Sequence, residues 1–200
     1  VHEVTPAVHI AGACNAVLRR EDGSLLGDQF DGAGFVRGVL RKGRQLQGAR
    51  VLISGAGGVG AAIAASLAAA GVGELMLFDT RAESAQALAG RLAAYYPRMK
   101  VGTGSRDPQG FDVVVNATPL GMKDDDPLPF DVQRIAPTTF VGEVVMKSEF
   151  TPLLRAVRDK GCDFQVGTDM LFEMIPAYLE FFGFGSATPD ELRATAHISY

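Results

Sequence analysis

Val51-Leu52-Ile53-Ser54-Gly55-Ala56-Gly57-Gly58-Val59-Gly60, with the apolar residues 61–70 behind it, is the stretch on which the fold turns. Val51-Leu52-Ile53 is a short β-rich run, and residues 61–70 have helical character. Between them Gly55, Gly57 and Gly60 fit G-x-G-x-x-G, with Ala56, Gly58 and Val59 in the unconstrained places. In a chain with 24 glycines the pattern alone is weak. Placed directly after a strand and opening a helix, it acquires a mechanism. Gly55 allows the tight turn, Gly57 lets the main chain approach a pyrophosphate, and Gly60 lets helix and strand pack closely. Free N–H groups at the helix start then face the anion, aided by the helix dipole. The plain alternative is a glycine turn with no ligand.

Downstream, Leu75–Phe78 reads as a second strand and Ala82–Tyr95 as a helix. Val113–Val115 and Phe140–Val145 read as two more strands. These runs are apolar on both faces, as buried parallel strands are. Strand–helix repetition of this kind implies an α/β fold: a Rossmann-type, doubly wound parallel sheet. Asp79 ends the second strand, about 20 residues past the loop, where an acid accepts from ribose hydroxyls and repels a 2′-phosphate. NAD is therefore expected before NADP. Thr80 and Arg81 follow, and Arg81 either pairs with such a phosphate or is a solvated helix-start residue, so NADP stays tolerated. Asn116, Ala117 and Thr118 lie at a strand end, beyond which ligands of such sheets sit.

Upstream, Ala13–Gly27 reads as a hairpin turning at Asp22-Gly23. Phe35, Val36, Val39 and Leu40 recur at helical spacing up to Lys42-Gly43, a helix that links a first lobe to a second. Near the other end Met170, Leu171, Met174, Ile175, Tyr178, Leu179 and Phe182 fall three and four apart, as a helix packed against another lobe requires.

Net charge is −4, with 23 acidic against 19 basic residues and no basic block, so nucleic acid is not an expected partner. No apolar run approaches the roughly 20 residues of a membrane span, so no membrane is expected. Cys14 and Cys162 form no C-x-x-C pair and read as reduced thiols of a cytoplasmic protein. His2, His9 and His197 lack metal-ligand spacing, and Asp124-Asp125-Asp126 reads as a solvated loop, so no metal is expected. The chain starts at Val1, in mid-pattern, which suggests that something precedes it.

Five ordered segments resemble the shikimate dehydrogenase family and its quinate/shikimate relatives. Gly12-Ala13-Cys14-Asn15-Ala16 is similar to the family's G-A-x-N-T, and Gly27-Asp28-Gln29-Phe30-Asp31-Gly32 to its G-D-N-T-D-G. Asn116-Ala117-Thr118-Pro119-Leu120-Gly121-Met122 resembles N-A-T-P-x-G-M. Thr151-Pro152-Leu153-Leu154 and Gly167-Thr168-Asp169-Met170-Leu171 resemble its C-terminal motifs. The resemblance implies reversible reduction of a ring ketone, such as 3-dehydroshikimate, by a nicotinamide cofactor. It implies the end of a substrate lobe at 1–31, a linking helix at 32–47, an NAD(P)-binding domain at 48–167, and helices at 168–200 bracing the two.

By the same resemblance Asn15 hydrogen-bonds substrate hydroxyls, and Asp31 is the aspartate of a catalytic Lys–Asp pair. Reducing a ketone leaves an alkoxide that needs a proton; a lysine can donate it, and a carboxylate orients and tunes that lysine. Read without the resemblance, Asp31 is a helix N-terminal carboxylate and Asn15 a side chain bonding local backbone. Gly167, Met170 and Leu171 correspond to the wall beside the nicotinamide, with core packing the alternative for the last two. The partner expected is a small cyclic hydroxy acid, with at most a homodimer as assembly.

The chain departs from the family at three places. The lysine lies upstream of the asparagine motif in the family, and none of the fourteen residues before Asn15 is lysine. Met146 stands where the family has a substrate-binding tyrosine, and Met174 where it has a glutamine. A thioether offers a polyhydroxylated ring no comparable hydrogen bond, so a differently substituted cyclic acid is an alternative substrate. A nicotinamide-binding sensor or assembly module without catalysis is the alternative from another class.

Overall fold

The structure, a computed structural model, describes residues 1–198 and Tyr200. Glu3–Val4 (β1) leads into Pro6–Ala11 (α1), whose leading proline fixes the first helical φ and needs no N–H there. Ala16–Arg19 (β2) and Leu25–Asp28 (β3) form the hairpin anticipated from Asp22-Gly23, with Ala16 opposite Asp28 and Arg19 opposite Leu25. β1 pairs in parallel with the other edge of β3, giving a three-stranded sheet in the order β1-β3-β2. Asp31–Arg41 (α2) then crosses to the second sheet.

That sheet begins with Arg50–Ser54 (β4), whose Val51, Leu52 and Ile53 are fully buried. Gly58–Ala69 (α3) returns over it, followed by Glu74–Phe78 (β5), Ala82–Tyr95 (α4) and Lys100–Thr103 (β6). Val113–Asn116 (β7), Phe140–Glu143 (β8), Pro152–Asp159 (α5) and Phe164–Gln165 (β9) build the other half. A 3-10 turn at Val132–Arg134 precedes β8, and Gly167–Phe181 (α6) and Pro189–Thr195 (α7) follow β9. All six strands are parallel, in the order β6-β5-β4-β7-β8-β9. The order reverses between β4 and β7, so their C-terminal ends, Ser54 and Asn116, flank the crevice where such sheets bind ligands.

Alternation along the strands divides the core in two. Val51 and Ile53, Leu75 and Leu77, and Val113 and Val115 point to the face covered by α1 to α4. Leu52, Val114 and Val141 point to the other, covered by α5 through Leu153, Leu154 and Val157. The helix α3 is apolar almost all round because it is covered on every side; Ala61, Ala62, Ile63, Ala64, Ala65 and Leu67 are all buried. Its small residues let α2 come down onto it, and a Cβ on Gly32 would lie 2.0 Å from the Ala62 carbonyl oxygen. On its other side α2 meets α6, where a Cβ on Gly34 would lie 2.6 Å from the Met170 carbonyl oxygen. Lys42 and Arg193 both reach the Asp169 carboxylate, at 3.0 and 3.3 Å, tying α2, α6 and α7 together.

The strand read at residues 140–145 stops at Glu143, because Val144 and Val145 turn their amides to that side chain instead of to a neighbour strand. Four elements give no signal in the sequence. β1 and β9 are two residues each, too short for any periodicity, and α1 is six residues. β6 is a polar edge strand, Lys-Val-Gly-Thr, without the apolar run of its neighbours. The helix α5 is visible only as a motif, although Thr151 caps it by accepting from the Leu154 amide at 3.3 Å. Among the described residues no helix is long and apolar enough to cross a membrane.

Candidate functional site

Where β4 turns into α3, Gly55 has φ +103°, and its amide donates to the Phe78 carbonyl at 2.7 Å. A Cβ at Gly60 would lie 2.0 Å from the Gly55 carbonyl oxygen, so any larger residue there would push the helix off the turn. Around Gly57 and Gly58 there is open space, and no side chain caps the start of α3. Unclaimed amides at a helix N-terminus beside open space have the chemistry to receive an anion. Asp79 binds the loop from the end of β5: Oδ2 accepts from the Ala56 amide at 2.8 Å, and Oδ1 from the Arg81 amide at 2.9 Å. Burial pushes this carboxyl up, but the two amides and the Arg81 charge outweigh it and hold the acid below the usual carboxylate range. Each oxygen keeps a lone pair for a further donor.

A cleft of about 380 Å³ opens here, lined by Gly57, Asp79, Thr80, Arg81, Ala117 and Thr118 among others. It also holds Arg106, which sequence reasoning does not single out; its guanidinium lies 5.7 Å from the centre of the Phe78 ring. Arg106 follows β6, and its signal is hidden because that strand is illegible.

Asn116 ends β7 beside the cleft, and its side chain is fully buried. Its Nδ2 donates to the Glu143 carboxylate at 2.9 and 3.2 Å and to the Leu120 carbonyl at 2.9 Å. Its Oδ1 accepts from the amide and hydroxyl of Thr118, at 3.1 and 2.6 Å. Asn116 therefore shapes the loop whose Ala117 and Thr118 face the cleft. Its partner Glu143 is also fully buried, and accepts in addition from the Val144 and Val145 amides and the Thr151 hydroxyl at 2.9, 3.1 and 2.9 Å. Burial raises this carboxyl above its usual range, against the lowering effect of its donors. Glu143 escapes notice because it sits inside an apolar run that reads as plain strand.

A second polar cluster sits where β3 runs into α2. The Asn15 Nδ2 donates to Asp31 Oδ1 at 2.8 Å, and its Oδ1 accepts from the Phe30 amide at 3.1 Å. The Asp31 amide donates to Gln29 Oε1 at 3.0 Å. Asn15 and Asp31, sixteen positions apart, are thus brought into direct contact. Burial raises the Asp31 carboxyl, partly countered by the Asn15 bond. Since Gly32 rests on Ala62, one turn into α3, this cluster starts its helix beside the helix that carries the glycine loop.

The residues assigned to the nicotinamide wall are placed differently from one another. Gly167 is buried, and its close approach is to protein: a Cβ there would lie 2.2 Å from the Val145 carbonyl oxygen. Met170 is 4% exposed and belongs to the core, which favours packing over a ligand wall, while Leu171 is half-buried. Met174 lies half-buried against Gly34, and Met146 is 43% exposed at the exit of β8.

The ThiF family model matches residues 36–82, the glycine loop with its flanking strands and helices. The shikimate dehydrogenase (NADP(+)) of Rubrobacter xylanophilus is 38% identical over 165 residues, covering 80% of this chain and 58% of that protein. That of Rhodospirillum rubrum is 34% identical over 190 residues, covering 92% of this chain and 67% of that protein. Among solved structures, the quinate dehydrogenase from Corynebacterium glutamicum in complex with NAD superposes with a TM-score of 0.86 at 32% identity, over 98% of this chain and 71% of that one. The chain therefore spans between 58 and 67% of these two curated relatives. With the glycine-loop crevice, the Asn15–Asp31 cluster and these likenesses together, the chain belongs to the shikimate/quinate dehydrogenase family.

Proposed function

We propose that the chain is the cofactor-binding part, with the adjoining edge of the substrate site, of an NAD(P)-dependent dehydrogenase that interconverts a ring ketone and a cyclic hydroxy acid of shikimate or quinate type. The observation that carries this reading is the cleft in which uncapped amides of α3, open space at Gly57 and Gly58, and Asp79 converge. These residues fit a dinucleotide: amides for the pyrophosphate, a carboxylate for ribose hydroxyls, and Arg81 and Arg106 at the adenosine end. The bound dinucleotide supplies the hydride for the ketone carbon. Asn15 holds the Asp31 carboxylate in place, and Asp31 orients and tunes the proton donor serving the alkoxide. Residues 1–31 then belong to the substrate lobe and residues 48–167 to the cofactor domain, with α6 against α2 where they join.

Asp79 supports NAD as the preferred cofactor, and the Corynebacterium relative was solved with NAD. Arg81 and Arg106 in the same cleft, together with the NADP(+) in the names of the two curated relatives, keep NADP as the second choice. The full-length enzyme is expected to oxidise shikimate or quinate with a lower KM for NAD than for NADP. Calorimetry showing that neither dinucleotide binds would overturn the whole reading. Tight dinucleotide binding without turnover of either acid would transfer the support to a non-catalytic module.

A further inference from the structure

The helices α2 and α6 run antiparallel, with Phe30 beside the late residues Tyr178 and Phe181 and Gly38 beside Gln165, which precedes α6. Their register is fixed at Gly34, where a Cβ would lie 2.7 Å from the Met174 Cβ. One helical turn back from Gly34 is Phe30–Asp31, and one turn on from Met174 is Tyr178, so Tyr178 meets Phe30 across the seam, next in sequence to Asp31. The Phe30 ring takes Tyr178 edge-on at 5.0 Å and Phe181 at 5.4 Å, which fixes the plane of the phenol. Among the described residues only Asn15 hydrogen-bonds the Asp31 carboxylate, through Oδ1. Tyr178 is half-buried, and no described residue hydrogen-bonds its hydroxyl. Burial, with the Asp31 charge adding to it, pushes the phenol up to about 12, so Tyr178 keeps its proton and donates.

We propose that the Tyr178 hydroxyl and the Asp31 carboxylate form a donor–acceptor pair that recognises one ring hydroxyl of the substrate. That hydroxyl donates to Asp31 and accepts from Tyr178. A carbonyl at the same ring position engages Tyr178 alone, and a methylene engages neither, so the pair selects for an alcohol. Tyr178 is then a specificity residue, and the inference rests on the proposed function, which puts the substrate on the Asp31 side of the cleft.

The test compares the full-length enzyme with its Tyr178→Phe variant, which keeps the ring packed on Phe30 and removes only the oxygen. kcat/KM is measured for shikimate and for its singly deoxygenated analogues. The variant should lose about 10-fold to 100-fold on shikimate, mainly through KM, with the cofactor KM unchanged. For one analogue, the one lacking the recognised hydroxyl, the loss should vanish. The ratio between substrates does not depend on the fraction of variant that folds, so a less stable variant still discriminates. A change under 2-fold on shikimate, or an equal loss on every analogue, overturns the role of Tyr178 and leaves the proposed function standing. A wild-type enzyme that turns over neither shikimate nor quinate removes both.

Discussion

The glycine-loop end of the sheet and the Asn15–Asp31 corner do related work with different materials. At the loop, the cleft is built chiefly from main-chain amides and the Asp79 carboxylate, with the Gly55 turn seated on the Ala117 backbone. At the corner, Asn15, Gln29 and Asp31 are held by side-chain bonds, and the helix packed on them arrives more than a hundred residues later. A backbone-built site tolerates almost any side chain that leaves the turn intact. A side-chain site depends on each named residue and can change its ligand while the fold persists. Met174 lies on that second, more changeable side, against Gly34 one turn into the helix that Asp31 starts.

Substitutions at four positions would break or sharpen this contrast. The largest effect is expected at Glu143, where long-range side chains support the backbone-built half. Glu143→Ala strands Asn116, Thr151 and two amides, and should cost roughly 3 kcal/mol or more in denaturant unfolding. The gentler Glu143→Gln tests the sign of its titration. Because burial raises this carboxyl in the folded protein, its contribution is complete below the unfolded value of 4.5 and is lost as pH rises through the raised one. The stability advantage of wild type over Glu143→Gln should therefore shrink from pH 4.5 upward; an advantage growing with pH would refute the assignment.

Next is Gly60→Ala, whose added methyl would collide with the Gly55 carbonyl and should weaken dinucleotide binding by roughly 100-fold in calorimetry. Unchanged affinity would show that the turn is not the binding element. Asp79→Asn should raise the KM for NAD by about 10-fold while changing that for NADP less, since a charged acceptor for ribose is lost. The smallest effect is expected for Arg106→Ala, about 3-fold in cofactor KM, because an exposed guanidinium over an aromatic ring is a weak contact. A loss as large as that at Gly60 would place side chains, not backbone, in command of the cofactor end.

The same contrast explains what can be read from the residues alone. The strand–loop–helix at 51–70 and the acid at 79 carry their physics in local order, and the parallel sheet follows from them. Arg106 escapes because β6 lacks an apolar run, and Glu143 because one acid in a run of Val, Gly and Phe looks like ordinary strand. Asn116 is legible as a strand-end residue, but the direction of its side chain depends on Glu143, 27 residues on. Gly167 is legible only as part of a motif, and the packing shows that the Val145 carbonyl is what approaches it.

One further consequence concerns α2. Three of its first eight residues are glycine, each weakening an isolated helix by about 1 kcal/mol relative to alanine. Such a segment has little tendency to coil up unaided, and is held straight by being wedged between α3 at Gly32 and α6 at Gly34. Asp31 therefore owes its position to the helices that clasp α2 from both flanks, not to any rigidity of its own segment.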